Sequence, residues 1–271
     1  MLRSMYTAGT AMLTYTRKMD VITNNLTNVE TRGFKADTLA TRSFRDLMID
    51  RLNDPSFYRY DSVGPHNTGI HVDQVYTGWQ QGPLENTGVS TDFALTGDGF
   101  FVIDYTGEYD DEPVERYTRN GAFNVDAEGM LVTGDGRYVL GEGGPIEVGG
   151  MGFIVGEDGY VYDAYGDMID RLRVVRFIRE DEEGEELIDN SSLRKAGDNM
   201  FFNFDPENYE AQDIDEGVSI VKQGYLENSN VDTAREMVNM MQTYRAYEIN
   251  QRILRMIDES LGRAVNDIAR I

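Results

Sequence analysis

The sequence predicts an α+β protein: long N- and C-terminal helices that pair in coiled-coil fashion, with an inserted β-rich central domain of short antiparallel strands. Three observations predict it. An apolar seam of heptad spacing opens the chain, a second long apolar stripe closes it, and the stretch between them is broken by hairpin-type turn dipeptides.

The N-terminal element follows from Met5, Ala8, Met12, Tyr15, Met19, Ile22, Leu26 and Val29, which recur at alternating steps of three and four. That spacing keeps one helix face apolar against a partner. Thr31-Arg32-Gly33 supplies the stop, because glycine takes the left-handed conformation that ends helices. Residues 46–69 hold Pro55, Gly64 and Pro65 with little periodicity, and read as an extended connector.

From residue 70 to 217 the pattern is β-type. Asn120-Gly121, Glu128-Gly129, Asp135-Gly136 and Asp158-Gly159 are hairpin-turn signals. Short apolar runs separate them, such as Phe100–Ile103, Met130–Val132, Tyr138–Leu140, Tyr160–Tyr162 and Leu172–Ile178. The acidic stretches 107–115 and 179–186 read as loop insertions.

The last element opens on Thr233 and Glu236, spaced as a capping box. From there to Ile268 there is no proline, and Gly262 is the only glycine. Met237, Met241, Tyr244, Ile249, Ile253, Ile257, Leu261, Ala264 and Ile268 form its stripe, widened by Met240, Tyr247, Leu254 and Val265. At 1.5 Å per residue such a helix is roughly 50 Å long. Residues 1–45 plus 218–271 are therefore expected to form one helical domain. Its apolar stripes exceed what a single partner helix covers, so neighbouring copies are expected to complete the core.

Charge separates the same regions. The chain has 25 Lys+Arg and 48 Asp+Glu, for a formal net charge of −23. Residues 1–52 hold 8 basic and 5 acidic residues and residues 218–271 hold 7 of each, which leaves 10 basic and 36 acidic residues between them. Nearly neutral, apolar ends can meet other copies, whereas the acidic middle repels its like and stays solvated. Nucleic-acid binding is excluded, because phosphate contacts need clustered Lys and Arg. The chain has no cysteine, which suits an extracytoplasmic protein that avoids oxidation chemistry. Residues 1–28 lack the continuous apolar core of a signal peptide, and no run is long enough to insert in a membrane. Export is then expected by a route without a cleaved signal.

Sites of chemistry are not expected: no catalytic residues, no metal, no cofactor. Asn124-Val125-Asp126-Ala127-Glu128-Gly129 with Asp135 imitates a calcium loop, but its flanks read as strands and its last ligand is Asp, so a hairpin is the better reading. Gly97-Asp98-Gly99 is too short for a phosphate loop. His66 and His71 lie in a loop-like stretch with no third histidine or cysteine to complete a zinc site. Acidic pairs such as Asp110-Asp111 fall in solvated loops. A rival class, an acidic and calcium-dependent surface binding module, would have no use for two long apolar stripes. Asn24, Asn25 and Asn28 read either as caps and turn formers or as polar contacts between subunits. Gln242 and Arg245, one turn apart, read as a solvated face or as register-setting polar positions.

Asn24-Asn25-Leu26-Thr27-Asn28, continuing to Gly33-Phe34-Lys35, resembles the N-terminal signature of the flagellar rod and hook protein family. Gln223 to Val231, and then Glu236-Met237-Val238-Asn239 through Gln242, Arg245, Tyr247 and Asn250, resemble its C-terminal hallmark. Between them Asp92 to Phe101, Tyr117 to Phe123 and Gly129 to Val132 also match. The chain departs slightly at Thr27, where alanine is usual, and at Glu30. Its length is similar to that of rod rather than hook members, and Arg245 to Asn250 is more similar to distal than to proximal rod proteins. The resemblance implies a self-assembling subunit of the basal-body rod, with terminal helices lining an inner tube and an outer β-rich domain at 70–217. It further implies torque transmission to the hook, a central export channel, neighbouring rod and hook proteins as partners, and passage through the flagellar type III export apparatus. The assembly interface is then expected to use Met5, Met12, Met19, Asn24, Asn25, Leu26, Asn28, Gly33 and Phe34. From the other end it would use Met237, Asn239, Met241, Gln242, Tyr244, Arg245, Tyr247, Asn250, Ile253, Ile257 and Leu261. Before assembly, order is expected to be lost from Met1 to about Lys35 and from about Asn230 to Ile271.

Overall fold

A computed structural model describes residues 2–50, 62–106, 114–149, 152–180, 186–214 and 220–268. The ends are helical: α1 spans Leu2–Thr27 and α2 spans Thr233–Ile268. Everything between is β-rich, built of short antiparallel strands. No described helix is long and apolar enough to cross a membrane.

The chain divides into two compact units. The helical unit comprises Met1–Thr27, Asp37–Thr77 and Asp232–Ile271. Its helices pack against each other, and α1 also lies on two strands, β1 (Asp37–Ser43) and β4 (Ile70–Thr77). β1 and β4 pair antiparallel, with a bulge between Ala40 and Thr41. Between them β2 (Leu47–Asp50) pairs with β3 (Ser62–His66), Leu47 opposite His66. The stretch read as an extended connector is thus in part a β-ribbon, and residues 70–77 belong with the helices because β4 needs β1. Residues 51–61 lie outside the described residues, as do 107–113 and 181–185 of the two acidic insertions.

The helix limits also differ from the sequence reading. α1 ends at Thr27, so Val29 falls outside it; Asn28 to Thr31 form a turn closed by a Thr31 N–H to Asn28 C=O bond of 3.2 Å. Gly33 sits at φ +67°, within that exit. At the start of α2 the cap is Asp232 rather than Thr233. Its carboxylate accepts the Arg235 N–H at 3.1 Å, satisfying a donor that the first turn leaves free.

The β-rich unit comprises Asn28–Ala36 and Gly78–Val231. Its main sheet has seven strands: in order 186–188, 174–180, 100–104, 115–118, 200–203 and 193–197, with 210–213 also on 174–180. Two apolar clusters fill the unit. One gathers Phe93, Phe101, Phe123, Ile146 and Val161; the other packs Phe100, Phe177 and Phe201 with Trp79. Late strands return to early ones: 220–223 pairs with 93–96, and 225–227 with 84–86. Turns at Gly129, Gly136 and Gly159 take positive φ, as their dipeptides predict. The calcium-loop look-alike is a hairpin, in which the Asp126 carboxylate accepts the Met130 N–H at 2.7 Å. Asn120-Gly121 instead bends the chain between pairings. The Phe93 N–H donates to the Gly121 carbonyl at 2.9 Å, and a Cβ on Gly121 would sit 1.9 Å from the Phe93 oxygen.

Candidate assembly interface

The two units bury apolar side chains very unequally. Ala8 and Ile22 are the only fully buried apolar residues of the helical unit among those described, whereas the β-rich unit holds two full clusters. The reason lies in the helices. On α2 the covered side carries Met240, Thr243, Tyr247, Leu254, Ile257 and Leu261, all buried or half-buried. Met237, Met241, Tyr244 and Ile249 belong to the other side and stay exposed, Met241 at 55% and Ile249 at 57%. Val238 and Met256 extend that exposed face. Val238, Met241, Ile249 and Met256 fall on one helical line with Arg245 and Arg252, which are exposed as well. On α1, Met12, Met19 and Leu26 are half-buried, while Met5, Tyr6 and Leu13 are open. Four large apolar side chains are thus held in water along one line of the helix, with two arginines between them, the mixed composition of a contact surface.

The polar positions on α2 divide as well. Asn239 is half-buried and donates to Glu236 Oε1 at 3.3 Å; Asn250 donates to the Ala246 carbonyl at 2.8 Å; Gln242 is exposed. Ile253 is half-buried near the covered side. Thr243, 3% exposed, had no apolar signal in the sequence. Its hydroxyl bonds back to the Asn239 carbonyl at 2.7 Å, which leaves its methyl free to pack.

Several N-terminal signature residues face inward. Asn25 is buried and makes a reciprocal pair with Asp37: its amide donates to the Asp37 carbonyl at 2.8 Å and its oxygen accepts the Asp37 N–H at 2.9 Å. The side chain stands in for a strand and ties the end of α1 to the start of β1. Asn24 is exposed; Asn28 accepts the Thr31 hydroxyl at 3.2 Å within the helix-exit turn. Gly33 and Phe34 are buried in the β-rich unit, with the Lys195 ammonium 4.0 Å from the Phe34 ring centre. Asn25, Gly33 and Phe34, expected in the contact between chains, have their partners within one chain here. His66 and His71 lie on β3 and β4 rather than in a loop, and the His71 ring stacks 4.7 Å from that of Phe44. Among the described residues no cluster of His, Cys, Asp or Glu could hold a metal.

A buried charge cluster in the β-rich unit was not foreseen. Lys35 and Glu227 are each 1% exposed and 2.6 Å apart, with Arg119 3.5 Å from the second carboxylate oxygen. Burial holds the Lys35 ammonium and the Arg119 guanidinium below their usual ranges, against the opposing pull of Glu227.

Comparison with known proteins gives the family. Family profiles match in three stretches: "Flagella basal body rod protein" over residues 5–35, "Flagellar hook protein FlgE/F/G D1 domain" over 94–163, and "Flagellar basal body rod FlgEFG protein C-terminal" over 222–267. The flagellar basal-body rod protein FlgG of Bacillus subtilis is 33% identical over 98% of this chain and 99% of its own length. The chain belongs to the flagellar basal-body rod protein family. FlgG of Borreliella burgdorferi is 32% identical over 98% of each chain, and FlgF of Caulobacter vibrioides 30% over 99% of this chain and 98% of its own. This is a structural family and not one of enzymes. In the rod-family chain the N-terminal matched stretch runs from α1 through Gly33 to Lys35. The C-terminal one holds Glu227 together with α2, so both reach past the helices into the β-rich unit.

Proposed function

We propose that the chain is a self-assembling structural subunit of the flagellar basal-body rod, in which copies meet through the exposed faces of α1 and α2. The observation that carries this reading is the nearly coreless helical unit, with Val238, Met241, Ile249 and Met256 aligned on its surface. A second copy, or a neighbouring rod or hook protein, supplies the missing side of that core in coiled-coil-like packing. The helices form the inner tube around an export channel, and the β-rich unit, which carries most of the acidic excess, faces outward and helps transmit torque to the hook. Export through the flagellar type III apparatus accords with this architecture. The interface consists of Met5, Met12, Met19, Met237, Met241, Tyr244 and Arg245 with Tyr6, Leu13, Val238, Ile249 and Met256. Met241→Asp and Ile249→Asp test it, since a carboxylate buried without a partner costs several kcal/mol. Both variants are expected to be folded monomers by circular dichroism and sedimentation, and to abolish incorporation into basal bodies and motility. Normal motility from both would move the interface elsewhere.

A further inference from the structure

Lys35, Arg119 and Glu227 come from three distant parts of the chain and meet where water does not reach. The Lys35 ammonium donates to Glu227 Oε1 at 2.6 Å and to the Gln80 carbonyl at 2.9 Å. The same carboxylate oxygen accepts the Gly82 N–H at 2.8 Å. Arg119 faces the other oxygen, donates to the Gly97 carbonyl at 2.8 Å and lies 5.1 Å from the Phe100 ring centre. Four further hydrogen bonds, each using a backbone group of segment 32–36, surround the cluster. Gly33 N–H donates to the Glu227 carbonyl at 2.7 Å, Lys195 to the Lys35 carbonyl at 2.7 Å, Asn199 to the Arg32 carbonyl at 2.5 Å, and Ala36 N–H to Asn230 Oδ1 at 2.8 Å.

We propose that this cluster is a buried electrostatic fastener: it holds segments 28–36, which follow α1, and 225–231, which lead into α2, onto the rest of the β-rich unit. It joins residues 192 apart in sequence. In a chain without cysteine it does what a disulfide would do between two such distant points, removing the freedom of a very long loop. A buried ion pair is a poor source of net stability, because desolvation offsets attraction; its consequence is felt when one partner is removed and the other charge is left alone. That asymmetry suits a fastener. Opening of 225–231 strands Lys35 and Arg119 without their shared anion, whereas opening of 28–36 takes Lys35 away and leaves Glu227 beside Arg119, 3.5 Å off, so 225–231 is the costlier segment to open. The inference is a property of one chain and stands apart from the assembly reading, which its failure would leave untouched.

Region-resolved amide exchange on the full chain tests it. In Glu227→Gln, exchange at residues 33–36 and 226–229 is expected to rise about a hundredfold relative to residues 100–104, which lie in the core. Adding Lys35→Met removes one stranded cation and is expected to recover about tenfold of that loss. Unchanged exchange at 33–36, equal loosening at 100–104, or a double variant worse than the single would each overturn the proposal. Should Glu227→Gln not fold, Lys35→Met alone decides, because it keeps the Glu227 to Arg119 pair. Local loosening confined to 33–36 supports the fastener, and no change or global unfolding overturns it.

Discussion

Gly33 shows how much a single signature residue carries. It sits at φ +67°, and a Cβ there would lie 2.5 Å from the Arg119 carbonyl carbon and the Asn120 nitrogen. An alanine meets both left-handed strain and immovable backbone, so Gly33→Ala is expected to cost about 3 kcal/mol. Gly9 is the contrast: it lies within α1 with nothing near its Cβ position, and Gly9→Ala is expected to stabilise the helix by about 1 kcal/mol. Denaturant unfolding checks the first, followed by the fluorescence of Trp79, the sole tryptophan, which packs on Phe100 and Phe201 in the β-rich unit. Far-UV circular dichroism checks the second. The sequence made Gly33 legible as a stop signal, but not the reason only glycine fits, because Arg119 approaches from far along the chain. Asn25 was legible as a polar residue with a purpose, and its partner Asp37 lies only twelve positions away. Glu227 was invisible: one acid among 48, and its burial depends on two distant cations.

At the scale of the element, α2 was legible in extent and type but not in orientation. Its apolar residues wrap more than one side, and periodicity cannot say which side the chain itself covers. Thr243 decides the matter, and a threonine gives no apolar signal; only its hydroxyl turned back to Asn239 makes it a core residue. The two faces are therefore expected to respond differently. Thr243→Asp places a carboxylate against the covered side and is expected to lower the helix content of the isolated monomer, at a cost of several kcal/mol. Thr243→Val keeps the shape and removes a satisfied hydroxyl, so its effect is expected to stay within about 1 kcal/mol. Circular dichroism of the two monomers separates these outcomes. Equal helix loss from Thr243→Asp and from Met241→Asp would mean that both sides are covered within one chain. Strand positions were better read, because Gly129, Gly136 and Gly159 fix their turns locally, whereas Asn120-Gly121 answers to Phe93 in another strand.

For the whole molecule, what separates stable from labile is where the chain enters the β-rich unit, which is also where its two helices end. The helical unit buries little, and packing rather than propensity supplies most of a helix's stability. Segments 28–36 and 225–231 instead share the hydrogen bonds and the buried charges of the β-rich unit. The border between labile and stable structure before assembly is thus expected near residues 27 and 232, inside the limits of Lys35 and Asn230 given above, with the helices formed but easily opened. Trypsin reads the difference directly, since basic residues flank both borders. In a verified monomer, cleavage after Arg17, Lys18, Arg245 and Arg252, all exposed on the helices, is expected to precede cleavage after Arg32 and Lys35 by about a hundredfold. Lys35 is buried and Arg32 is tied to Glu85 and Asn228, so both need the segment to open first. In assembled rods the helical sites are expected to become resistant as neighbouring copies cover them. Equal early cutting at Arg17 and Lys35 would mean that the N-terminal segment is loose to residue 35 and that its docking follows assembly. Resistance at Arg245 in the monomer would mean that α1 and α2 already satisfy each other within one chain.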